Sequence, residues 1–175
     1  MKKSIAIVFL ALTLLLCSCA PAVVKEPADC NYTAYEAVFN IAAGNSEEHK
    51  IKITRETSGE ASLEFVEPFL MRGITAKYLD GKLSLFLLGV PMTVEELEED
   101  YRKTADEFVV ILDVMAGLYK DKEVVKNSGK VTAISVDIEG TKYTVNINNE
   151  TKLPVSAQVS GSFTLSIKIE DFTWR

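Results

Sequence analysis

The chain has 175 residues, of which 47% are hydrophobic and 25% charged, and its 25 acidic side chains outnumber its 19 basic ones. This length is sufficient for one domain with a substantial hydrophobic core. The acidic balance disfavours nucleic acid and anionic lipid head groups as electrostatic partners, and the apolar content is too high for a disordered chain.

The N-terminus has the pattern of a secretory signal. Lys2 and Lys3 precede an uncharged, apolar run over residues 5–16, and a basic segment followed by an apolar one is typical of export signals. A helix of about twelve residues spans roughly 18 Å, which is too short for a hydrocarbon core of about 30 Å. We therefore predict a removable signal and not a transmembrane helix.

The stretch Leu16-Cys17-Ser18-Cys19 resembles the lipobox of bacterial lipoprotein signal peptides, with a small residue at position −1 and a cysteine at +1. The resemblance implies cleavage between Ser18 and Cys19 and a fatty-acyl anchor, which includes palmitate, on the thiol of Cys19. Cys17 is a second candidate for position +1, although Leu16 is large for position −1. The competing interpretation is ordinary secretion, with cleavage at Ser18 or Ala20 and no lipid.

The chain is predicted to contain one folded domain near a membrane. Residues 1–18 form the signal peptide, residues 19–30 contain the lipidated cysteine and a short tether, and residues 31–175 form a single β-rich domain. A flexible tether of about ten residues reaches roughly 17 Å. The expected location is extracytoplasmic, on the cell membrane, or on the outer membrane if the organism has two membranes.

Alternating apolar and polar residues predict several short strands before the middle of the chain. The alternation is clear over residues 35–41, 50–54 and 61–65, and turn-forming residues lie between these segments. A period of two places one strand face against a core and the other in water. Short strands joined by tight turns favour an antiparallel meander.

The pair Asp80-Gly81 is the clearest hairpin signal, because both residues accept the positive φ angles of a type I′ turn. A two-residue turn fixes the register of the two flanking strands. The predicted cross-strand pairs are Tyr78 with Leu83, Ala76 with Leu85, and Ile74 with Leu87.

One long helix is predicted after the hairpin. Thr93 and Glu96 have the spacing of a capping box, and Gly117 is a candidate for the helix end. Apolar residues then recur every three or four positions, so they form one stripe that is expected to pack on the sheet. The stripe contains Val94, Leu97, Tyr101, Ala105, Phe108, Ile111, Leu112, Met115 and Leu118.

Strands resume after a polar link over residues 120–130, and the alternation continues to residue 169. The predicted fold is therefore α+β and mainly β. It consists of a curved antiparallel sheet, or half-barrel, of about nine or ten strands, with one long helix packed on its concave apolar face.

The order of these elements resembles the LolA/LolB-like lipoprotein-carrier fold. The matching stretches are residues 63–68, the Asp80-Gly81 hairpin, residues 149–154 and the end of the last strand at residues 170–172. The resemblance implies a half-barrel whose helices close over acyl chains. This chain differs in having its own predicted anchor and only one clear helix.

The sequence favours a non-catalytic protein without cofactor or metal. It contains no glycine-rich phosphate loop, paired-histidine motif, Cys-x-x-Cys or nucleophile elbow. Its single histidine, His49, has no second ligand at a metal-binding spacing. Cys30 is the remaining thiol once Cys19 is lipidated, and its role stays open.

Two functions are compatible with this sequence. The first is binding of a lipid or another apolar ligand between sheet and helix, for which Met and Phe side chains provide an adaptable lining. The alternative is a cell-envelope adaptor or structural lipoprotein that has a closed core and a protein partner. The candidate ligand-binding residues are Phe65, Phe69, Met71, Leu85, Leu87, Met92, Phe108, Ile111, Leu112 and Met115.

Overall fold

The computed structural model describes residues 31–44, 48–80, 82–92, 99–119, 121–162 and 164–175. The predicted signal, Cys19, the tether and Cys30 lie outside these residues. The described part contains one sheet and one α-helix, which confirms the predicted fold class. The elements before the helix are β1 (Tyr35–Ala43), β2 (His49–Arg55), β3 (Ala61–Glu67), a 3-10 turn (Phe69–Met71), β4 (Ile74–Leu79), β5 (Lys82–Leu87) and β6 (Val90–Met92). The remaining elements are α1 (Glu99–Met115), β7 (Glu123–Asn127), β8 (Val131–Ile138), β9 (Thr141–Asn148), β10 (Pro154–Ser160) and β11 (Thr164–Trp174).

The sheet is open and follows the order β6-β5-β4-β3-β2-β1-β11-β10-β9-β8-β7. Every neighbouring pair of strands is antiparallel. The strands before and after the helix thus form two meanders, and pairing of the first strand with the last joins them. This arrangement leaves β6 and β7 at the two edges.

The register of the β4–β5 hairpin is the one that the sequence predicts. Tyr78 lies opposite Leu83, Ala76 opposite Leu85, and Ile74 opposite Leu87. Asp80 has a φ of 50°, as a tight turn of this kind requires. Gly81 lies outside the described residues.

The described sheet has eleven strands, close to the nine or ten that the sequence predicts. The clearest omission is β7, which forms within the segment that we interpreted as a polar link. This strand pairs with β8 at the edge of the sheet. An edge strand is ordered by backbone hydrogen bonds to one neighbour, and sequence periodicity does not report such bonds.

One face of the sheet carries the hydrophobic core, and we call it the inner face. Directly opposed residues of an antiparallel pair share a face, and the registers define a continuous row from β1 to β6. This row consists of Ala37, Ile53, Leu63, Ala76, Leu85 and Met92. Its first four members are buried, whereas the last two become progressively more exposed.

Helix α1 packs on the inner face through the predicted apolar stripe. Ile111, Leu112 and Met115 are completely buried, and the rings of Phe108 and Phe39 are 6.0 Å apart at 80°. The helix ends at Met115, so Leu118 lies beyond it and is exposed, contrary to the predicted stripe. The capping box lies outside the described residues. In the described part of the chain, no helix is long and apolar enough to cross a bilayer.

Candidate functional site

The described part of the helix–sheet interface is a cluster of buried apolar side chains. Four of the ten predicted ligand-binding residues, Phe108, Ile111, Leu112 and Met115, lie in this buried core. Phe65 and Leu85 are partly buried and pack against it.

The other four predicted residues lie outside the core. Phe69, in the 3-10 turn, is 75% exposed, and Met71 of the same turn is half-buried. Leu87 and Met92 are 44% and 37% exposed. None of these four is among the core residues or the side chains packed against them. The ten residues are therefore divided between a buried interface and a more open region that comprises the 3-10 turn, the end of β5, and β6.

The open region continues the inner face toward the β6 edge. Leu87 pairs with both Ile74 and Val90, and Leu85 pairs with Met92, so these five side chains share one face. We call them the apolar strip. Val90 is 64% exposed, which makes it the most accessible of the five. An uncovered apolar surface thus adjoins the buried core within a single sheet face.

A polar cluster occupies the inner face at the opposite end of β4. Tyr35 lies opposite Arg55, which lies opposite Ala61, which in turn lies opposite Tyr78. Arg55 is 3% exposed, and its Nη2 donates to Asp113 Oδ1 of α1 at 3.3 Å. The Tyr78 hydroxyl donates to Asp113 Oδ2 at 3.0 Å. Arg55, Tyr78 and Asp113 therefore connect the sheet to the C-terminal part of the helix.

This cluster contains more hydrogen-bonding capacity than its described partners use. The Nε and Nη1 atoms of Arg55 and the hydroxyl of Tyr35 are buried and have no hydrogen-bond partner among the described residues. Burial raises the pKa of Tyr35 well above its usual range. Burial also raises the pKa of Tyr78, and the negative charge of Asp113 and its hydrogen bond add to that effect. Both tyrosines are therefore held in the neutral form, which can donate a hydrogen bond.

A pocket of about 280 Å³ opens beside this cluster, and we call it the Arg55 pocket. Its wall combines hydroxyl, carboxylate and apolar groups with the buried guanidinium. It is lined by Thr33, Arg55, Thr57, Ser58, Gly59, Tyr78, Asp80, Asp113, Ala116 and Leu118. The described residues contain no group of three His, Cys, Asp or Glu side chains that could hold a metal ion.

This pocket was not predicted from the sequence, although one signal was present. Arg55 continues the alternation of Ile51 and Ile53 and so occupies an inward position of β2. A charged side chain in phase with apolar ones indicates a buried charge, which requires a partner. The identity of that partner was not predictable, because Asp113 is 58 residues away in the chain.

A second polar contact holds the helix on the C-terminal half of the sheet. The hydroxyl of Tyr143 in β9 donates to a carboxylate oxygen of Glu107 in α1. Burial raises the pKa of Tyr143 well above its usual range, and Glu107 contributes to the increase. The helix is thus connected to both meanders by a tyrosine–carboxylate pair, one at Tyr78 and one at Tyr143.

No protein-family model matches the chain, and neither does any curated protein. Similar solved structures include an uncharacterized conserved protein from Thermus thermophilus, at 12% identity and a TM-score of 0.47 over 82% of this chain and 80% of that chain. A LolA superfamily protein from Nitrosomonas europaea is similar at 10% identity and a TM-score of 0.41, over 87% and 89% of the two chains. The structure of the CwlD amidase from Clostridioides difficile in complex with the GerS lipoprotein contains another similar chain. There the identity is 19% and the TM-score 0.44, over 81% of this chain and 86% of that chain.

These comparisons concern the architecture. A LolA superfamily protein and an outer membrane lipoprotein-sorting protein domain are among the similar structures. At such low identities they transfer no ligand, partner or activity to this chain. Its function has to be argued from its own residues.

Proposed function

We propose that this chain is an extracytoplasmic lipoprotein that acts by binding, not by catalysis, and takes an apolar ligand on the apolar strip. In this proposal residues 1–18 are the signal, residues 19–30 the lipidated cysteine and tether, and residues 31–175 the binding domain. The pattern of the first nineteen residues supports the membrane anchor. The exposure of Leu87, Val90 and Met92 supports the binding role.

The apolar strip is the observation that carries the proposal. Folding normally removes large apolar side chains from water, because each Å² of buried apolar surface contributes about 25 cal/mol. On this sheet the same face is buried under α1 but exposed at β5 and β6. Contiguous exposed apolar surface is typical of sites that bind other molecules. In this proposal the ligand lies beside the helix–sheet interface and not inside it.

An acyl chain is the ligand class that fits this position. The five residues of the apolar strip carry no charge, so the surface offers dispersion contacts and no specific polar recognition. The predicted tether would keep the domain within reach of lipids in the membrane that holds it. Lipid handling would then consist of capture or local transfer at one membrane.

Ligand binding can be tested with unlipidated protein that begins at Ala20 and with the fluorescent fatty acid cis-parinaric acid. We expect Leu87→Asp to weaken binding at least tenfold, because it places a carboxylate within the apolar strip. Leu79→Asp is the matched control, because Leu79 has nearly the same exposure, 45% against 44%, but lies on the outer face of β4. Equal binding by the two variants, or no binding by the parent protein, would contradict the proposal.

A second function, that of an envelope adaptor, is favoured by the closed helix–sheet interface and by the open edge at β6. In that case the apolar strip would contact an apolar segment of a protein partner, and the edge strand could pair with it. A photo-crosslinking amino acid at Val90, introduced in living cells, separates the two functions. Lipid adducts would support the first function, whereas one stoichiometric protein adduct would support the adaptor.

A further inference from the structure

We propose that the ligand of the apolar strip is an amphiphile with an anionic head group, and that Arg72 binds the charged oxygens of that group. This inference rests on the function proposed above, because the acyl chain of the amphiphile would lie on the apolar strip. Its support comes from the position of Arg72, the unused part of its guanidinium, the charges around it and the exposed apolar side chains beside it.

Arg72 lies where the apolar strip ends. It directly follows the 3-10 turn and comes two positions before Ile74, which begins β4 and belongs to the strip. The β5–β6 turn lies against the same segment, because the backbone N–H of Leu88 donates to the carbonyl oxygen of Gly73 at 2.8 Å. Leu88 in turn follows Leu87 of the strip. An acyl chain that leaves the strip at this end would therefore bring its head group close to Arg72.

The guanidinium of Arg72 is held in place but only partly used. Its Nε donates to the carbonyl oxygen of Val66 at 2.9 Å, and its Cζ lies 5.3 Å from the centre of the Phe69 ring. Its Nη1 and Nη2 atoms have no hydrogen-bond or ion-pair partner among the described residues. The side chain is exposed, so a ligand in solution can reach these atoms. Their N–H groups match the paired oxygens of a carboxylate or phosphate.

The charges around Arg72 favour an anion. The acidic residue closest to it in sequence, Glu67, lies opposite Lys50 and therefore shares the outer face of the sheet with that lysine. The chain as a whole has a net charge of −6, but charges more than about 10 Å away are largely screened at 0.1 M salt. Since the strip itself is uncharged, an acyl chain with an anionic head group suits this combination better than a cationic amphiphile.

Two apolar side chains flank this end of the strip, and both are more exposed than any member of the strip. Phe69 is 75% exposed and Leu88 is 79% exposed. Leu88 also has a φ of 51°, a left-handed conformation that is unfavourable for leucine and is usually adopted by Asn, Asp or Gly in such turns. A leucine that is both strained and exposed points to a role in binding. In this proposal Phe69 and Leu88 contact the part of the acyl chain next to the head group.

The test uses the complete predicted mature chain in unlipidated form, which begins at Ala20, because the detergent that a lipidated protein needs would compete for the strip. Two fluorescent probes with the same tail, cis-parinaric acid and the corresponding uncharged alcohol, are titrated at pH 8 and low salt. Arg72→Gln is expected to weaken binding of the acid about threefold, within the usual range of exposed ion pairs, and to leave binding of the alcohol unchanged. Arg72→Lys keeps the charge and should retain part of the preference for the acid.

Lys77→Gln is the matched control, because it removes the same charge from another exposed side chain of the same region. Lys77 lies on the outer face of β4, away from the apolar strip, so this change should affect neither probe. Competition by decanoate and by decyl phosphate against bound cis-parinaric acid then compares the two anionic head groups. The stronger competitor identifies the head group as a carboxylate or a phosphate, and equal competition means that Arg72 accepts both.

The outcomes separate this inference from the function on which it rests. If the parent protein binds both probes and Arg72→Gln changes neither affinity, or weakens both equally, Arg72 does not bind the head group, although the strip still binds acyl chains. A similar loss of acid binding in Lys77→Gln would also overturn the inference, because it would trace the effect to net charge. If the parent binds neither probe, the proposed function fails and this inference fails with it.

Discussion

Arg55 of β2 and Asp113 of α1 form a buried ion pair, with Nη2 and Oδ1 3.3 Å apart. Tyr78 donates to the other oxygen of the same carboxylate. One aspartate near the end of the helix therefore accepts hydrogen bonds from two strands of the first meander. This contact lies beside a filled apolar interface, so removing it should affect both stability and the shape of the Arg55 pocket.

Asp113→Ala should destabilise the protein by about 3 kcal/mol, because it leaves the guanidinium of Arg55 buried without a countercharge. The measurement is urea-induced unfolding followed by circular dichroism. Asp106→Ala is the control, since Asp106 belongs to the same helix but is exposed, and its change should stay within about 0.5 kcal/mol.

Replacing both members of the pair by apolar residues should recover much of this loss, because an apolar pair avoids the cost of burying charge. Arg55→Met combined with Asp113→Leu is the suitable double variant. If Asp113→Ala proves no more harmful than Asp106→Ala, Asp113 does not provide the electrostatic compensation that we assign to it.

Leu112→Ala should destabilise the domain by about 2–5 kcal/mol, the usual cost of a large-to-small change in a packed core. Leu112 belongs to α1 and is fully buried. Val90→Ala, in the apolar strip, should change the free energy of unfolding by less than about 0.5 kcal/mol. Chemical unfolding of both variants provides the comparison. If both variants have similarly small effects, the interface is loosely packed. The space between helix and sheet would then be the better candidate for the ligand site.

The free energy of unfolding should fall as the pH rises above about 10, the ordinary pKa of tyrosine. In the folded state, burial raises the pKa of Tyr35 above the ordinary tyrosine value of about 10. A raised folded-state pKa means that this contribution is fully present below about pH 10 and is lost as the pH rises through the folded value. Tyr35→Phe should therefore lose less stability than the parent between about pH 8 and 10.5.

Three other tyrosines with raised pKa values should also contribute to the alkaline decrease in stability. Burial also raises the pKa of Tyr78, Tyr119 and Tyr143. The Tyr35→Phe variant should consequently keep part of the alkaline decrease. Urea unfolding at each pH supplies the free energies, and equal slopes for parent and variant would show that Tyr35 does not contribute.

Cys19→Ser should abolish incorporation of radiolabelled palmitate in cells, because a hydroxyl cannot replace the thiol in lipid transfer. Cys17→Ser is the matched control, because it removes a thiol two positions before Cys19. This variant should still incorporate palmitate and have its signal cleaved. Labelled Cys19→Ser protein would contradict the predicted anchor. Loss of label in Cys17→Ser alone would move the modification site to Cys17.

Local periodicity was enough to predict much of the fold. The alternation in β1 to β3, the β4–β5 register around Asp80 and the apolar stripe of α1 depend on residues close together in sequence. Such patterns reflect local backbone geometry, because side chains return to the same face every two residues in a strand and every 3.6 residues in a helix. The pattern of the first nineteen residues likewise predicts export and lipidation without reference to the fold.

The tertiary structure decided where these elements meet. It placed α1 against a core that extends across the sheet from β4 to β8, which left Leu87, Val90 and Met92 exposed on the same sheet face. It also brought Asp113 to Arg55 across 58 positions of sequence. Local pattern cannot specify such contacts, because they depend on which strands become neighbours and on which part of the sheet the helix covers.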